Sequence, residues 1–141
     1  MKRALIFLAL ALTACSGEPE VSDTTWQVTD IWTTPGDPST LPPQDAGRAW
    51  LALGGQSLSG NTGCSRLQGT VTFSEDGETL SIDHLEVDPA AADCPAERTH
   101  GQLTELLRPG AEFAVHHAGR SLTLTARSDA VDPPAIGLAA L

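Results

Sequence analysis

Hydrophobic and polar residues alternate along most of the chain from residue 24 onward. A period of two is typical of β-strands, in which successive side chains lie on opposite faces. Trp26 and Val28 in the first run therefore share one face, which we expect to be buried. The Asp76-Gly77 pair between two alternating runs is typical of a β-hairpin turn. The strands predicted in this way are 24–32, 48–53, 56–60, 69–74, 79–87, 111–117 and 121–126, and a final run over 135–141 is a candidate last strand. The chain order is thus four or five strands before residue 96 and two or three after residue 108.

One segment, about 96–108, has the period of a helix instead. Its leucines are spaced to lie on one helical face, and Pro109-Gly110 ends the pattern. Pro95 suits the first helical turn, with Asp93 or Cys94 as the expected N-cap. Strands on both sides of a single helix predict an α+β fold, in which a curled, barrel-like antiparallel sheet packs against one α-helix.

The stretch 59–69 interrupts the alternation, because it holds three glycines and one cysteine within eleven residues. Gly60, Gly63 and Gly69 allow backbone conformations that other residues avoid. We therefore predict a tight, irregular corner between strands, with Cys64 near its centre.

The first residues predict export. A short basic start, Lys2-Arg3, precedes an apolar run over 4–12, which is typical of a secretory signal and shorter than the ~20 residues that span a bilayer. The next residues, Leu12-Thr13-Ala14-Cys15, resemble a bacterial lipobox. The resemblance implies that residues 1–14 are a lipoprotein signal peptide and that the Cys15 thiol carries acyl chains such as palmitate. An ordinary secretory signal that ends near a cysteine is the alternative.

After the signal, residues 15–23 are small, acidic and interrupted by a proline, which is typical of a flexible tether. Residues 24–141 then form one domain. We expect this domain on the extracytoplasmic side of the cell envelope, attached to a membrane by its N-terminal acyl chains. Stable anchoring takes more than one such chain.

The acidic balance of the chain restricts its partners. Eight basic and 18 acidic residues give a formal net charge of −10, and loss of two basic residues with the signal would make it −12. Such a surface repels phosphate backbones and anionic headgroups, so we expect no nucleic-acid partner.

Once Cys15 is lipidated, Cys64 and Cys94 are the two cysteines left. In an oxidising export compartment they are expected to form a disulfide. The closed loop of 31 residues would stabilise the fold by about 3–4 kcal/mol on the chain-entropy treatment. A metal or redox pair is the alternative, which the long separation and the lack of a CxxC motif disfavour.

No pattern in the sequence predicts catalysis. His116 and His117 are adjacent on a predicted strand, so they point to opposite faces and do not chelate one ion together. The chain has no Gly-x-Ser-x-Gly motif and no phosphate-binding glycine loop, so we expect neither an enzyme nor a cofactor or metal.

Two features leave binding open. Trp26, Trp32 and Trp50 would line a ligand groove or, alternatively, pack in the core or at its rim. The proline-rich segment 33–47 reads as a long loop, which is either a plain insertion or a binding segment.

A set of motifs spread along the chain carries a resemblance to a known family: Trp26-x-Val28, Gly60-Asn61-Thr62-Gly63-Cys64, Gly69, Leu80-x-Ile82, Cys94, Leu106-Leu107 and Leu122-Thr123-Leu124. With these motifs the chain resembles the META/HslJ-like family of bacterial envelope proteins over residues 24–141. It departs from the family pattern in two places: Ser65 replaces an asparagine, and 88–94 replaces a threonine-x-x-alanine-cysteine motif.

The resemblance implies a compact barrel-like sheet with one helix, and a non-enzymatic envelope lipoprotein with a binding or structural role in tolerance of heat or novobiocin. Its motif contains no catalytic residue. The partner would be an envelope protein. The alternative is a carrier that encloses a lipid or other small apolar ligand within the curled sheet.

Overall fold

A computed structural model of the protein describes residues 19–34 and 37–141, so the predicted signal peptide and Cys15 lie outside the described residues. One α-helix, α1, spans Glu97–Leu106. The strands are β1 (Thr24–Trp32), β2 (Ala49–Leu53), β3 (Ser57–Thr62), β4 (Arg66–Phe73), β5 (Thr79–Val87), β6 (Glu112–Ala118), β7 (Ser121–Ala126) and β8 (Ala135–Ala140).

The eight strands form a closed antiparallel barrel. Each strand pairs with the next one in the chain, and β8 returns to pair with β1. The helix α1 lies in the connection between β5 and β6. The predicted α+β fold, a barrel-like sheet with one helix, is therefore confirmed. In this closed order every described strand has a neighbouring strand on each side, although residues 83–87 of β5 pair only with β4.

Side chains fill the barrel interior. Trp26 and Val28 are fully buried, as the alternation predicts. Phe113, which lies on β6, is also fully buried. Eight strands enclose a space just wide enough for side chains. The other large side chains that are fully buried are Ile31, Leu51, Leu53, Leu80, Ile82, Leu103, Leu122, Leu124 and Ile136.

A β-bulge changes which side chains of β1 face inward. The register between β1 and β8 shifts between Val28 and Asp30. Beyond the shift Ile31 is buried, and Trp32 is exposed. A strict period of two from Val28 would have turned Trp32 inward, so the bulge is what places its indole on the outer surface.

The glycine-cysteine corner is smaller than predicted. β3 continues to Thr62 and β4 begins at Arg66, so only three residues connect the two strands. Gly60 and Gly69 therefore lie inside paired strands rather than in an irregular corner. The prediction was wrong in extent because main-chain pairing tolerates glycine where another backbone approaches closely.

The helix begins later than predicted. Its N-cap is Ala96, and no side chain caps it, so the predicted caps Asp93 and Cys94 are wrong. The amide of Cys94 instead donates to the carbonyl of Ala91 in a turn before the helix. The predicted apolar face is confirmed, since Leu103 is fully buried against the barrel.

Two segments predicted as loop or tether pack against the barrel. Leu41, in the long loop before β2, is buried in the core cluster. Thr40 forms an isolated bridge with Asp30 of β1. Upstream of β1, the indole Nε1 of Trp26 donates to the carbonyl of Val21 at 3.1 Å. Contacts of the domain thus begin before residue 24. Within the described ranges, the one helix is not long and apolar enough to cross a membrane.

Candidate functional site

A disulfide joins Cys64, after β3, to Cys94, before α1, with their Cα atoms 5.6 Å apart. Gly63 has a φ of +96°, and a Cβ there would lie 2.9 Å from the Cβ of Ala96. Glycine is therefore needed for this close approach. The predicted disulfide is present and holds the start of the helix against the turn between β3 and β4.

The hydroxyl of Thr62 is the centre of this junction. Thr62 Oγ1 accepts hydrogen bonds from the amides of Cys64 at 3.2 Å and Ser65 at 3.0 Å. It also lies 2.7 Å from Nδ1 of His100 on α1. Its hydroxyl proton is directed to the carbonyl oxygen of Ser65 at 3.4 Å, or to Nδ1 of His100 in the tautomer whose proton is on Nε2.

A second buried contact holds the helix. Thr99 Oγ1 donates to Oδ2 of Asp45 at 2.7 Å, and both residues are buried. The other carboxylate oxygen of Asp45, like the hydroxyl of Ser65, has no hydrogen-bond partner among the described residues. The disulfide, the Thr62–His100 contact and the Asp45–Thr99 bond together attach α1 to one end of the barrel. The role of this cluster is therefore structural, because it joins α1 to the rest of the fold.

Gly60 and Gly69, singled out by the sequence, do not converge on one site. A Cβ on Gly60 would collide with the carbonyl oxygen of Trp50, and one on Gly69 with the carbonyl oxygen of His84. Each glycine therefore lets two neighbouring strands approach closely. Their role is in strand packing.

The remaining histidines are dispersed. His84, His116 and His117 are exposed. The His117 ring meets the buried Trp26 ring edge-on, with centroids 5.7 Å apart. In the part of the chain that the structure describes, no group of three or more His, Cys, Asp or Glu residues is placed to hold a metal ion.

A cleft with a volume of about 510 Å³ lies on the outer surface of the barrel. It is bounded by the end of β1, the outer face of β7 and the connection from β7 to β8. The described residues that line it are Trp32, Thr33, Thr34, Asp37, Thr123, Thr125, Asp132, Pro133 and Ala135.

Trp32 is the aromatic platform of this cleft. Its side chain is 43% exposed, the most exposed of the three tryptophans. A Cβ built on Gly137 of β8 would lie 3.2 Å from two atoms of the six-membered ring, so the indole rests directly on the glycine backbone. Trp26 lies in the core, as the alternative interpretation of the tryptophans predicted, and Trp50 is half-buried. Of the three tryptophans, Trp32 lines this cleft.

The neighbours of Trp32 were missed by sequence reasoning. Thr123 and Thr125 lie on the outer face of β7, opposite the buried Leu122 and Leu124. Their place on the polar side of the alternating pattern in β7 is the only feature of the sequence from which they could have been predicted. Asp132 lies in the irregular connection before β8, where the sequence carries no periodicity that would place it beside Trp32.

The protein is therefore a small barrel domain. Its eight antiparallel strands close on themselves, a disulfide joins the inserted helix to the barrel, and a cleft with an aromatic side chain lies on the outer surface. Residues 19–132 match the META domain family, and the chain belongs to it. The match ends before β8, which closes the barrel.

Solved structures of the same fold are distant in sequence. An NMR structure of a protein from Burkholderia xenovorans is 21% identical, with a TM-score of 0.62 over 86% of this chain and 83% of that one. A second NMR structure is 18% identical, with a TM-score of 0.52 over 81% of this chain and 86% of that one. These likenesses concern the fold. No curated protein matches the chain.

Proposed function

We propose that this META domain is the folded part of a bacterial envelope lipoprotein that acts by binding, without catalysis, and contributes to tolerance of envelope stress. The acyl chains on Cys15 would attach it to a membrane, with the barrel on the extracytoplasmic side. The Leu12-Thr13-Ala14-Cys15 pattern supports this anchor. The Cys64–Cys94 disulfide supports an oxidising compartment, since such bonds are rare in reducing ones.

The observation that carries the binding proposal is the exposed indole of Trp32, held against Gly137 at the edge of an open cleft. Because the Trp32 side chain stays 43% exposed, it forgoes part of the ~1.5–3 kcal/mol that full burial of a large apolar side chain contributes. A cleft lined by an aromatic side chain and a few polar groups is the default candidate for a ligand site. The indole ring, the threonine hydroxyls and the aspartate carboxylates that line the cleft provide apolar, hydrogen-bonding and charged contacts for a ligand.

The carrier alternative has less support. A ligand inside the sheet needs an internal cavity, yet Trp26, Phe113 and the leucines around them fill the interior. The outer cleft offers a ligand surface without any displacement of this core. Binding on the outside of the barrel is therefore the better proposal.

The experiment compares variants of the full chain in a strain of the source bacterium that lacks the gene. Survival under heat and novobiocin should be restored by the native chain and not by Trp32→Ser. Leu141→Ser is the matched control, because it also removes an exposed apolar side chain, 70% exposed, outside the cleft. Thermal unfolding of each purified variant checks that the fold is intact.

Fractionation of the same cells tests the anchor. Cys15→Ser should lose its membrane fractionation, and restored survival should fall with it. Retention of Cys15→Ser in the membrane fraction would overturn the lipidation proposal. Full survival with Trp32→Ser would overturn the role of the cleft while leaving the anchor standing.

A further inference from the structure

The outer cleft carries negative charge in addition to the exposed indole ring of Trp32. Asp37 and Asp132 line it together with Trp32, and none of its described lining residues is Arg, Lys or His. Both aspartates are exposed. An anion in this cleft would face two carboxylates on a chain whose formal net charge is −10. The charge therefore favours a cationic ligand.

The two carboxylates are available to a ligand. Neither the side chain of Asp37 nor that of Asp132 forms a hydrogen bond to another described residue. By contrast, Asp30 accepts from Ser39 and Thr40, which fixes the loop before β2. The aspartates of the cleft therefore have no structural task comparable to that of Asp30.

The indole of Trp32 also favours a cationic ligand. The face of an indole carries negative charge density, which attracts a cation placed within about 6 Å of the ring. One edge of the ring lies against Gly137, and Ala135 pairs with Trp32 across the β1–β8 ladder. The ring is thus held in place before a ligand arrives, which lowers the entropy lost on binding.

The rim of the cleft is also tied to the helix. Gln102 of α1 donates to Oγ1 of Thr33 at 3.2 Å. The cleft volume of about 510 Å³ falls within the ~300–1,000 Å³ that small-ligand sites occupy. A compact ligand fits this space better than an extended polymer does.

We propose that the cleft binds a small organic cation of the alkylammonium class, with its ammonium group and the attached alkyl groups against the face of the Trp32 indole and beside the carboxylates of Asp37 and Asp132. The threonine hydroxyls of β7, Thr123 and Thr125, accept or donate hydrogen bonds at the far side. This inference rests on the proposed binding function and names its ligand class.

The test is a titration of the full chain, purified from envelopes in a neutral detergent, with choline as the probe. The indole N–H resonance of Trp32 is followed by NMR. Choline should shift this resonance saturably. The double variant Asp37→Asn/Asp132→Asn should weaken binding at least about fivefold, since a charge contact at about 4 Å in water contributes about 1 kcal/mol. The charge-matched control Asp88→Asn/Asp93→Asn, outside the cleft, should bind as the native chain does.

Three further probes separate the alternatives. Equal binding of the neutral isostere of choline, in which carbon replaces nitrogen, or of glucose would overturn the cationic class while leaving a binding function. Binding of oligolysine without choline would instead assign the cleft to a basic polypeptide and overturn the small-molecule proposal. No response to any probe would also reject it, whereas the survival assay with Trp32→Ser judges the binding function independently.

Discussion

Two threonine hydroxyls join elements that are far apart in the chain. Thr62 meets His100 across 38 positions, and Thr99 meets Asp45 across 54. Both threonines are fully buried. A buried polar group that loses its partner costs about 1–3 kcal/mol, so these contacts help to specify where the helix sits on the barrel.

Replacing Thr62 by valine should destabilise the protein by about 1–3 kcal/mol, because the buried amide of Ser65 and the partly buried amide of Cys64 lose their acceptor. Valine keeps the shape of threonine, so packing changes little. Urea unfolding of the oxidised protein measures the loss. Thr62→Ser keeps the hydroxyl and should recover most of it. A larger loss in Thr62→Ser than in Thr62→Val would show that the methyl group, rather than the hydroxyl, matters.

Asp76 gives the hairpin between β4 and β5 a dependence on pH. Its pKa is lowered by the hydrogen bond from the Ser74 hydroxyl, 2.6 Å away, and by the amide of Glu78. Because the folded-state pKa lies below the unfolded value of about 3.9, the stabilisation is present above that pH and is lost as pH falls through the folded value.

The measurement is the difference in unfolding free energy between the native chain and Asp76→Asn. This difference should favour the native chain near neutral pH and shrink once the pH falls below about 3.9. Ser74→Ala removes the largest cause of the shift, so it should raise the pKa of Asp76 in an NMR titration. A difference that stays constant down to the acid limit would contradict this account.

At the scale of strands and helices, the β-bulges are the places where periodicity no longer predicts which side chains face inward. The sequence pattern located β1 to β7 and marked β8 as a candidate strand, and Leu80 and Ile82 on one face of β5 are buried as expected. Between Thr70 and Val71, however, the β4–β5 register shifts, as it does after Val28 in β1. A bulge reverses the inward face without changing composition. The sequence therefore predicted Trp32 only as one of three groove candidates.

The two kinds of glycine should respond oppositely to an added methyl group. Gly69→Ala should destabilise the barrel by about 1–3 kcal/mol, because the new Cβ would press on the carbonyl oxygen of His84 across the β4–β5 ladder. Gly101→Ala, in the exposed middle of α1 with nothing within 4 Å of the new Cβ, should stabilise it by about 0.5–1 kcal/mol. Thermal and urea unfolding of both variants check the pair, and the same sign in both would refute this distinction.

Over the whole molecule, the barrel was predictable and the cleft was not. Each strand pairs with its sequence neighbour, so strand order follows from the chain, and the late apolar run 135–141 was expected as a further strand. The disulfide followed from the cysteine count. The cleft, in contrast, depends on closure, which brings the end of β1 beside Thr123 and Asp132. No local pattern encodes such a meeting of distant segments.

The charge of the whole chain should make its stability depend on salt. With 18 acidic and 8 basic residues, the compact state brings like charges together, and their repulsion is relieved on unfolding. Raising NaCl from about 10 mM to about 150 mM shortens the Debye length from about 30 Å to about 8 Å, which screens this repulsion. The melting temperature should therefore rise over this range. A variant with Glu75→Gln and Glu86→Gln, two exposed positions, should melt higher at low salt and respond less to added salt. A melting temperature that falls with salt would mean that attractive charge pairs outweigh the net repulsion.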